Sequence, residues 1–342
     1  MPTVIAETTR GGIVESVHHG VVVVTDASGR IVASAGDPER VVFYRSSAKP
    51  FQAIPLIESG AADRFGFTQR ELALACASHS GQPHHQAEVT GMLEKLGLAP
   101  SALMCGAIVP YNDDEGARVR AGLSMKSALC CDCSGKHAGM LATCVHEGLP
   151  LDTYLEPDHP LQRRILAVMA DVMRVPEAAI VPGTDGCSLP TFGAPMAAFA
   201  RSWATLADPG NAPAGQGREH AAALDRLRAA MMAAPENVAG DGEYVTDLMA
   251  VANGSICAKS GAEGLICLAI PAAGLGIAIR VLDGSYRAHP MLVAETLRQL
   301  GLADEAMLDE LERRHPAELR NHNGRLVGGI RAAFRLAGPT AA

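Results

Sequence analysis

Aromatic side chains are scarce in this chain of 342 residues, where they make up 4% and include one tryptophan. Hydrophobic residues nevertheless make up 48%, and there are 35 glycines. The core must therefore be built mostly from Ala, Val, Leu and Ile, with closely packed helices. The length is sufficient for a large core and for one or two domains.

Positive charge is also in short supply. The formal net charge is −8 and no basic cluster occurs, which argues against nucleic acid or an anionic membrane as a partner. No export-signal pattern and no run long enough to span a bilayer is present. Nine cysteines without an export signal indicate reduced thiols, not a disulfide framework, so we expect a cytoplasmic protein.

The first motif that carries chemistry is Ser46-x-x-Lys49. It follows the β-branched run at Val41 and opens an apolar segment that favours a helix. In a helical first turn, side chains three residues apart share a face. A serine hydroxyl is a poor nucleophile until a base takes its proton, and a neutral lysine can be that base. The pattern alone is short enough to occur by chance.

Two later stretches give this motif its weight. Ser78-His-Ser-Gly ends a helical run, and Lys259-Ser-Gly lies between two strand-like segments. The order Ser-x-x-Lys, Ser-x-Ser, Lys-Ser-Gly is close to the S-x-x-K, S-D-N, K-T-G series of penicillin-binding proteins and serine β-lactamases. Three short motifs in matching order predict a serine–lysine acyl-transfer site.

Strand-like patterns occupy both ends of the chain and helical patterns the middle, which predicts an α+β fold: a terminal antiparallel sheet with a central helical region. We expect one catalytic unit over 1–342. Residues 1–47 and 253–342 should form the sheet-containing lobe, and 48–252 should be mainly helical. Within the middle part we expect irregular chain over 99–132 and a helix from about Thr191 to Ala204.

The densest reactive cluster runs from Cys130 to His137. Cys133 and Cys187 both occupy turn-like positions beside helices, each close after an aspartate. Two thiolates with a third nitrogen or oxygen ligand suit Zn²⁺, although the spacing is not that of a zinc finger. Two alternatives stay open: the cysteines act as small core hydrophobes, or Cys133 and His137 form a thiol nucleophile.

Five stretches together resemble the Rhizobium-type L-asparaginase II family, from about Ile5 to Leu336. They are Arg-Ser-Ser-Ala-Lys-Pro (45–50), Ala-Ser-His-Ser-Gly (77–81), Cys-Ser-Gly-Lys-His-Ala-Gly-Met (133–140), Thr-Asp-Gly-Cys-Ser-Leu-Pro (184–190) and Lys-Ser-Gly-Ala-Glu-Gly (259–264).

The resemblance implies a fold similar to serine β-lactamases and glutaminases, hydrolysis of L-asparagine, and a homodimer. It implies two serine–lysine tandems, Ser46/Lys49 and Ser78/Lys259. The sequence departs from the family pattern at Gln82, where an acidic residue is expected, and at Val245, where a cysteine is expected.

The family's zinc site matches Cys133, Lys136 and Cys187, and His137 and Asp185 match residues that line the substrate pocket. We expect the zinc to position the substrate and not to activate a water. His137, next to Lys136, is equally suited to orienting a neighbour and to contacting the substrate.

For the mechanism, we assign Ser46 as the nucleophile and Lys49 as its base. A free lysine has a pKa of about 10.4 and is protonated at pH 7, so burial and the like charge of Lys259 must lower the pKa of Lys49. Ser78 would relay the proton between the two amines.

The substrate head group needs a separate set of charged residues. The α-carboxylate of the substrate requires a cation, which Arg45 or Lys136 could supply. The α-ammonium requires a carboxylate, for which Asp185 is the first candidate.

Other functions fit parts of the same pattern. The site could belong to a glutaminase, another amidase or a β-lactam-type acyl transferase, or Cys133 could act as the nucleophile of a thiol amidase. A regulatory protein that binds a metal or an amino acid is a non-enzyme alternative. The presence of both Lys49 and Lys259 argues against it.

Overall fold

The computed structural model describes residues 2–338. Within them the chain forms eleven strands. These are β1 (Thr3–Arg10), β2 (Ile13–Asp26), β3 (Ile31–Ala35), β4 (Val41–Phe43), β5 (Val181–Thr184), β6 (Pro190–Pro195), β7 (Cys257–Gly261), β8 (Leu265–Ile270), β9 (Leu275–Val281), β10 (Glu318–Arg320) and β11 (Leu326–Ala332).

The same residues form fourteen α-helices. These are α1 (Lys49–Gln52), α2 (Ile54–Glu58), α3 (Ala61–Arg64), α4 (Gln69–Ala75), α5 (Pro83–Lys95), α6 (Asp113–Arg120), α7 (Ser134–Glu147), α8 (Pro160–Met173), α9 (Met196–Ala207), α10 (Ala221–Ala233), α11 (Pro235–Val238), α12 (Tyr244–Ala252), α13 (His289–Leu300) and α14 (Glu305–Arg314).

The large sheet is built from the two ends of the chain. Its strand order is β10-β11-β1-β2-β9-β8-β7, with β3 also paired to β2, and every pairing is antiparallel. Most helices lie between β4 and β7 in sequence. This arrangement confirms the predicted α+β class with a terminal antiparallel sheet and a helical middle.

One buried helix joins the sheet to the helical part. α9 packs on β2, β8 and β9, and Trp203 on this helix is fully buried. The core is otherwise dominated by aliphatic side chains, as the composition predicts. None of the helices in residues 2–338 combines the length and the apolar character needed to cross a membrane.

A second, three-stranded sheet was not predicted. β4, β6 and β5 pair in that order, all antiparallel. The expected helix start at Thr191 is therefore wrong: residues 190–195 form β6, and the helix begins at Met196. The apolar run around Phe192 has no strand-like alternation. The partners that make it a strand are distant in sequence, so local pattern favoured a helix.

Three smaller expectations also differ from the structure. The stretch 99–132 is not wholly irregular, because α6 lies within it, capped by the Asn112 side chain, which accepts from Glu115 N. Helix α14 was not anticipated. Lys259 lies inside β7 and not between two strands.

Candidate active site

A cavity of about 780 Å³ opens beside the 3-10 turn that carries Ser46. The serines of the first two motifs, Ser46 and Ser78, both line it. Ser46 is 9% exposed, so its hydroxyl meets the cavity from an otherwise buried turn. The fold therefore brings together two serines that are far apart in sequence.

The residues before Ser46 hold the turn in place. Tyr44 is fully buried; its ring stacks on Phe199 of α9 with centroids 4.0 Å apart, and its N–H donates to Phe192 O at 2.8 Å. Arg45 then adopts a φ of +50°, a left-handed conformation that costs roughly 1–3 kcal/mol outside glycine. The anchored tyrosine and this conformation direct the chain into the turn at Ser46.

Strand β7 approaches this turn closely because its last residue is glycine. A Cβ on Gly261 would lie 2.9 Å from Ser47 Oγ and 3.1 Å from Tyr44 O. The Ser47 hydroxyl donates to Lys259 O at 3.1 Å. The glycine of the Lys-Ser-Gly motif is thus required for β7, and with it Lys259, to lie against the serine turn.

Lys49 is the first residue of α1 and is fully buried. Its Nζ donates to Ser78 Oγ at 2.7 Å and to Ala77 O at 2.5 Å. Asp132 Oδ2 lies 3.6 Å from the same Nζ. The lysine of the first motif is therefore bonded to the serine of the second.

The two motif lysines have opposite pKa shifts. Burial lowers the pKa of Lys49, but the negative charges of Cys133 and Asp132 outweigh burial, so the pKa is raised overall. Burial and the positive charge of Lys49 together lower the pKa of Lys259 to about 7. Lys259, and not Lys49, is the amine that is close to neutral at physiological pH.

This electrostatic result differs from the sequence prediction, which gave the lowered pKa to Lys49. The physical reason is the neighbourhood of Lys49: Asp132 lies 3.6 Å from its Nζ, and the charge of Cys133 acts in the same direction. Lys259 Nζ instead donates to a neutral group, Ser260 O, at 2.8 Å. Like-charge repulsion from Lys49 then favours its neutral form.

Arg45 and Asp185 form an ion pair with each other. Arg45 Nε lies 2.7 Å from Asp185 Oδ1, and the side chains are 26% and 9% exposed. The pair raises the pKa of Arg45 above its ordinary value, although burial opposes the shift. Arg45 and Asp185, which were both expected to bind the substrate head group, are therefore in contact with each other. Arg45 directly precedes Ser46 in the sequence.

The three predicted zinc ligands are buried and adjacent. Cys133 precedes α7, Lys136 lies in its first turn, and Lys136 Nζ donates to Cys187 Sγ at 3.2 Å. Hydrogen bonds from the thiols of Cys131 and Cys187, and then the charges of Lys49 and Lys136, hold the pKa of Cys133 well below its ordinary value. None of the three predicted ligands is among the residues that line the Ser46 cavity within 2–338.

The donor set fits a thiophilic metal ion. Two sulfurs and one amine converge, and thiolates with a nitrogen donor suit Zn²⁺. Cys131, Asp132 and Cys133 form a second grouping, with ligand atoms all within 4.8 Å of one another. Cys133 belongs to both groupings. All nine cysteines are free and buried, as expected for reduced thiols.

His137 is enclosed behind the cysteine cluster. It is fully buried, its Nδ1 lies 2.6 Å from Tyr154 OH, and Met104 N–H donates to the same hydroxyl at 2.9 Å. Burial and the charge of Lys136 lower the pKa of His137 to about 3, so the ring is neutral. In this position it orients Tyr154 and does not line the serine cavity.

The two departures from the family pattern both lie near the cavity. Val245 is buried and lines it. Gln82 Oε1 accepts from Ser80 Oγ at 3.1 Å and from Asp241 N at 2.9 Å. The amide oxygen of Gln82 therefore connects the second serine motif to the segment that precedes α12.

Three residues at the site were not assigned from the sequence. Asp132, Glu243 and His79 all line the cavity. Asp132 also neighbours Lys49, and His79 Nε2 lies 2.8 Å from Ser134 Oγ. A signal existed for both Asp132 and His79, since Asp132 lies in the cluster from Cys130 to His137 and His79 lies in the quoted motif 77–81. No local sequence pattern marks Glu243. It reaches the cavity because backbone hydrogen bonds join residues 238–239 to Ser78 and Ser80.

A family model described as L-asparaginase II matches residues 6–332 of the chain. No curated protein matches it.

Solved structures that are similar to the chain share little sequence with it. Mglu in its native form shares 16% identity, over 84% of this chain and 66% of Mglu, with a TM-score of 0.38. A β-lactamase from Mycobacterium bovis shares 13% identity, over 86% of this chain and 94% of its own, also with a TM-score of 0.38. The chain spans about two thirds of the length of Mglu.

Proposed function

The chain belongs to the L-asparaginase II family, and from this membership we propose that it hydrolyses L-asparagine to L-aspartate and ammonia. The family assignment supports an amidohydrolase. The observation that carries the serine–lysine mechanism is the Lys49–Ser78 hydrogen bond of 2.7 Å beside a cavity that Ser46 also lines.

In the first half-reaction, Ser46 Oγ attacks the side-chain carbonyl carbon of the substrate. Its proton passes to a lysine amine, and the resulting ammonium protonates the departing nitrogen as the C–N bond breaks. Ammonia leaves and an aspartyl ester forms on Ser46. In the second half, water attacks the ester, its proton returns through the same lysine, and Ser46 regains its hydrogen.

The lowered pKa favours Lys259 as the amine that accepts the proton. With a pKa of about 7, half of its population is neutral at that pH. Ser78, bonded to Lys49, would relay the proton of Ser46 to Lys259. Lys49 keeps its positive charge and both holds Ser78 and keeps the pKa of Lys259 low.

The Arg45–Asp185 pair supports recognition of a zwitterionic head group. A free α-amino acid carries one carboxylate and one ammonium, so each charge can pair with one member. We propose that Arg45 binds the α-carboxylate and Asp185 the α-ammonium. Lys136 is bonded to Cys187, which leaves Arg45 as the better carboxylate partner.

A zinc ion would be held by Cys133, Lys136 and Cys187. When bound, it would supply positive charge at the cysteine cluster. Lys136 must lose its proton to act as a ligand, and the neighbouring thiolate charge of Cys133 would be neutralised at the same time. The serine and lysine residues carry the covalent chemistry in this proposal.

Ammonia release from L-asparagine and from L-glutamine, each with and without a β-lactam as competitor, tests the function. We expect asparagine to be hydrolysed; one methylene in a pocket is worth only about 1–3 kcal/mol, so glutamine is the closest rival. Binding of asparagine with no ammonia release over hours would support a binding protein instead.

A Cys133 thiol amidase is the second candidate, because the pKa of Cys133 is lowered. It predicts that iodoacetamide abolishes activity and that Cys133→Ser has the effect expected for Ser46→Ala.

The homodimer and the cytoplasmic location stay predictions. Light scattering on the purified chain tests the dimer, and fractionation of the native cells tests the location.

A further inference from the structure

His79, between the two serines of the second motif, is a buried histidine with both ring nitrogens engaged. Its exposure is 0%. Gly81 N–H donates to Nδ1 at 3.1 Å, and Nε2 lies 2.8 Å from Ser134 Oγ. Because Gly81 N–H can only donate, Nδ1 carries no proton and Nε2–H must donate to Ser134. Ser134 in turn donates to Leu129 O at 3.2 Å.

The main chain of His79 makes a second connection to the segment around Cys133. Its N–H donates to Asp132 O at 3.2 Å. His79 is thus bonded to both neighbours of Cys133, through its backbone to Asp132 and through its ring to Ser134. The residue before it, Ser78, accepts the hydrogen bond of Lys49.

The opposite side of the same loop is held by backbone hydrogen bonds and by the Ser80–Gln82–Asp241 contact described above. Ser78 N donates to Val238 O at 3.0 Å, and Ser80 N donates to Ala239 O at 2.7 Å. Gly81 is packed so closely that a Cβ would lie 2.9 Å from Pro110 Cβ. On the side that faces α7, the His79 ring is the side-chain connection between the loop and the helix.

We propose that His79 is a positioning residue that keeps Ser78 in hydrogen-bonding contact with Lys49 by fixing the 78–81 loop to the first turn of α7. The inference rests on the proposed function, because it concerns the geometry of the same serine–lysine site. Burial holds the pKa of His79 well below its ordinary value, so the ring is neutral, and the Gly81 N–H fixes its tautomer.

Two substitutions separate the two ring contacts. His79→Asn keeps an acceptor for Gly81 N–H in an Asx-type turn but is too short to reach Ser134. His79→Gln can still donate to Ser134 through its amide. Ser134→Ala removes the partner, and His146→Asn, an exposed histidine on the last turn of α7, is the matched control.

The readouts are kcat and KM for asparagine and the labelling rate of Ser46 by a fluorophosphonate. A misplacement of about 1 Å can cost on the order of 100-fold in rate. We expect His79→Asn to lower kcat and labelling roughly 10–100-fold, with KM within a factor of about three. His79→Gln should recover much of both, and the control should match the wild type. The double variant His79→Asn/Ser134→Ala should be no worse than either single variant, since one hydrogen bond is lost in each.

Three outcomes would overturn the inference: labelling and kcat of His79→Asn within twofold of wild type, equal losses in the Asn and Gln variants, or additive losses in the double variant. If His79→Asn does not fold, Ser134→Ala and His79→Gln decide the same question. A wild type that is labelled but releases no ammonia from asparagine refutes the proposed function, while the labelling rates still test His79. Absence of labelling in the wild type overturns both.

Discussion

Lys49 Nζ donates to Ser78 Oγ at 2.7 Å, which connects the first serine–lysine motif to the second. The spacing Ser46-x-x-Lys49 suggested a closed pair within one turn, but α1 begins at Lys49 and directs its amine to the end of α4. The two lysines also differ in charge, because the pKa of Lys49 is raised and that of Lys259 is lowered to about 7.

Ser46→Ala should lower ammonia release to below a tenth of the wild-type rate, because the proposed nucleophile is removed. Little packing changes, so circular dichroism and the melting temperature should stay close to those of the wild type. Exposed Ser101 provides the control, and Ser101→Ala should retain full activity. Retention of more than a tenth of the rate by Ser46→Ala would show that the nucleophile lies elsewhere.

The rate should rise with pH through an apparent pKa near 7, the value for Lys259. The sign follows from the base: below its pKa, Lys259 is protonated and cannot accept a proton from serine. Lys259→Arg fixes this position in the charged form, removes the base and should lower kcat/KM by about 10²–10⁴-fold.

Lys49→Arg should be milder, since a cation beside Ser78 is retained. Measuring kcat/KM from pH 5 to pH 9 for both variants decides between the lysines. If Lys49→Arg loses the rising limb and Lys259→Arg keeps it, then Lys49 is the base.

Removal of zinc by a chelator should raise KM strongly and change kcat less. This is expected when the lost interaction stabilises the bound substrate and the transition state equally. Cys133→Ala and Cys187→Ala should act in the same direction and lower the metal content measured by mass spectrometry. Cys144→Ala, on the same helix but outside the cluster, is the control. A fall in kcat of more than a hundredfold at unchanged KM would mean that zinc activates the attacking water.

Asp185→Asn should raise KM for asparagine by roughly 10–100-fold, since a hydrogen bond to a charged group is worth about 1.5–3 kcal/mol. Succinamic acid, which lacks the α-ammonium, should lose nothing by the same substitution. The comparison of the two substrates isolates the ammonium contact. An equal loss with both substrates would instead assign Asp185 the role of holding Arg45 in place.

Gly135→Ala should destabilise the junction between α4 and α7. A Cβ at Gly135 would lie 2.2 Å from Leu74 O, so the two helices must separate, at a cost of typically 1–3 kcal/mol for overpacking. Gly91→Ala in α5 is the matched change with nothing within 4 Å, and it should stabilise by up to about 1 kcal/mol. Urea unfolding measures both, and equal midpoints would contradict the close contact.

Much of the fold could be predicted from the sequence because its determinants are local. Strand-like alternation at both chain ends predicts the terminal sheet, and Thr68 with Glu71 forms the capping box that begins α4. The structure brings Ser46, Ser78 and Lys49 together at one cavity edge, and their catalytic roles stay predictions. The order of the three motifs along the chain made this prediction possible, because that order follows the chemistry of the site and does not depend on how the core packs.

Other features depended on tertiary structure alone. β6 is a strand because β4 and β5 pair with it. Arg45 meets Asp185 only because β4 and β5, which precede them, run in the same direction on either side of β6. Local sequence also could not decide which lysine is neutral. The pKa of a buried amine depends on the charges that the fold places around it: Asp132 and Cys133 surround Lys49, whereas Lys259 has a backbone carbonyl and the charge of Lys49.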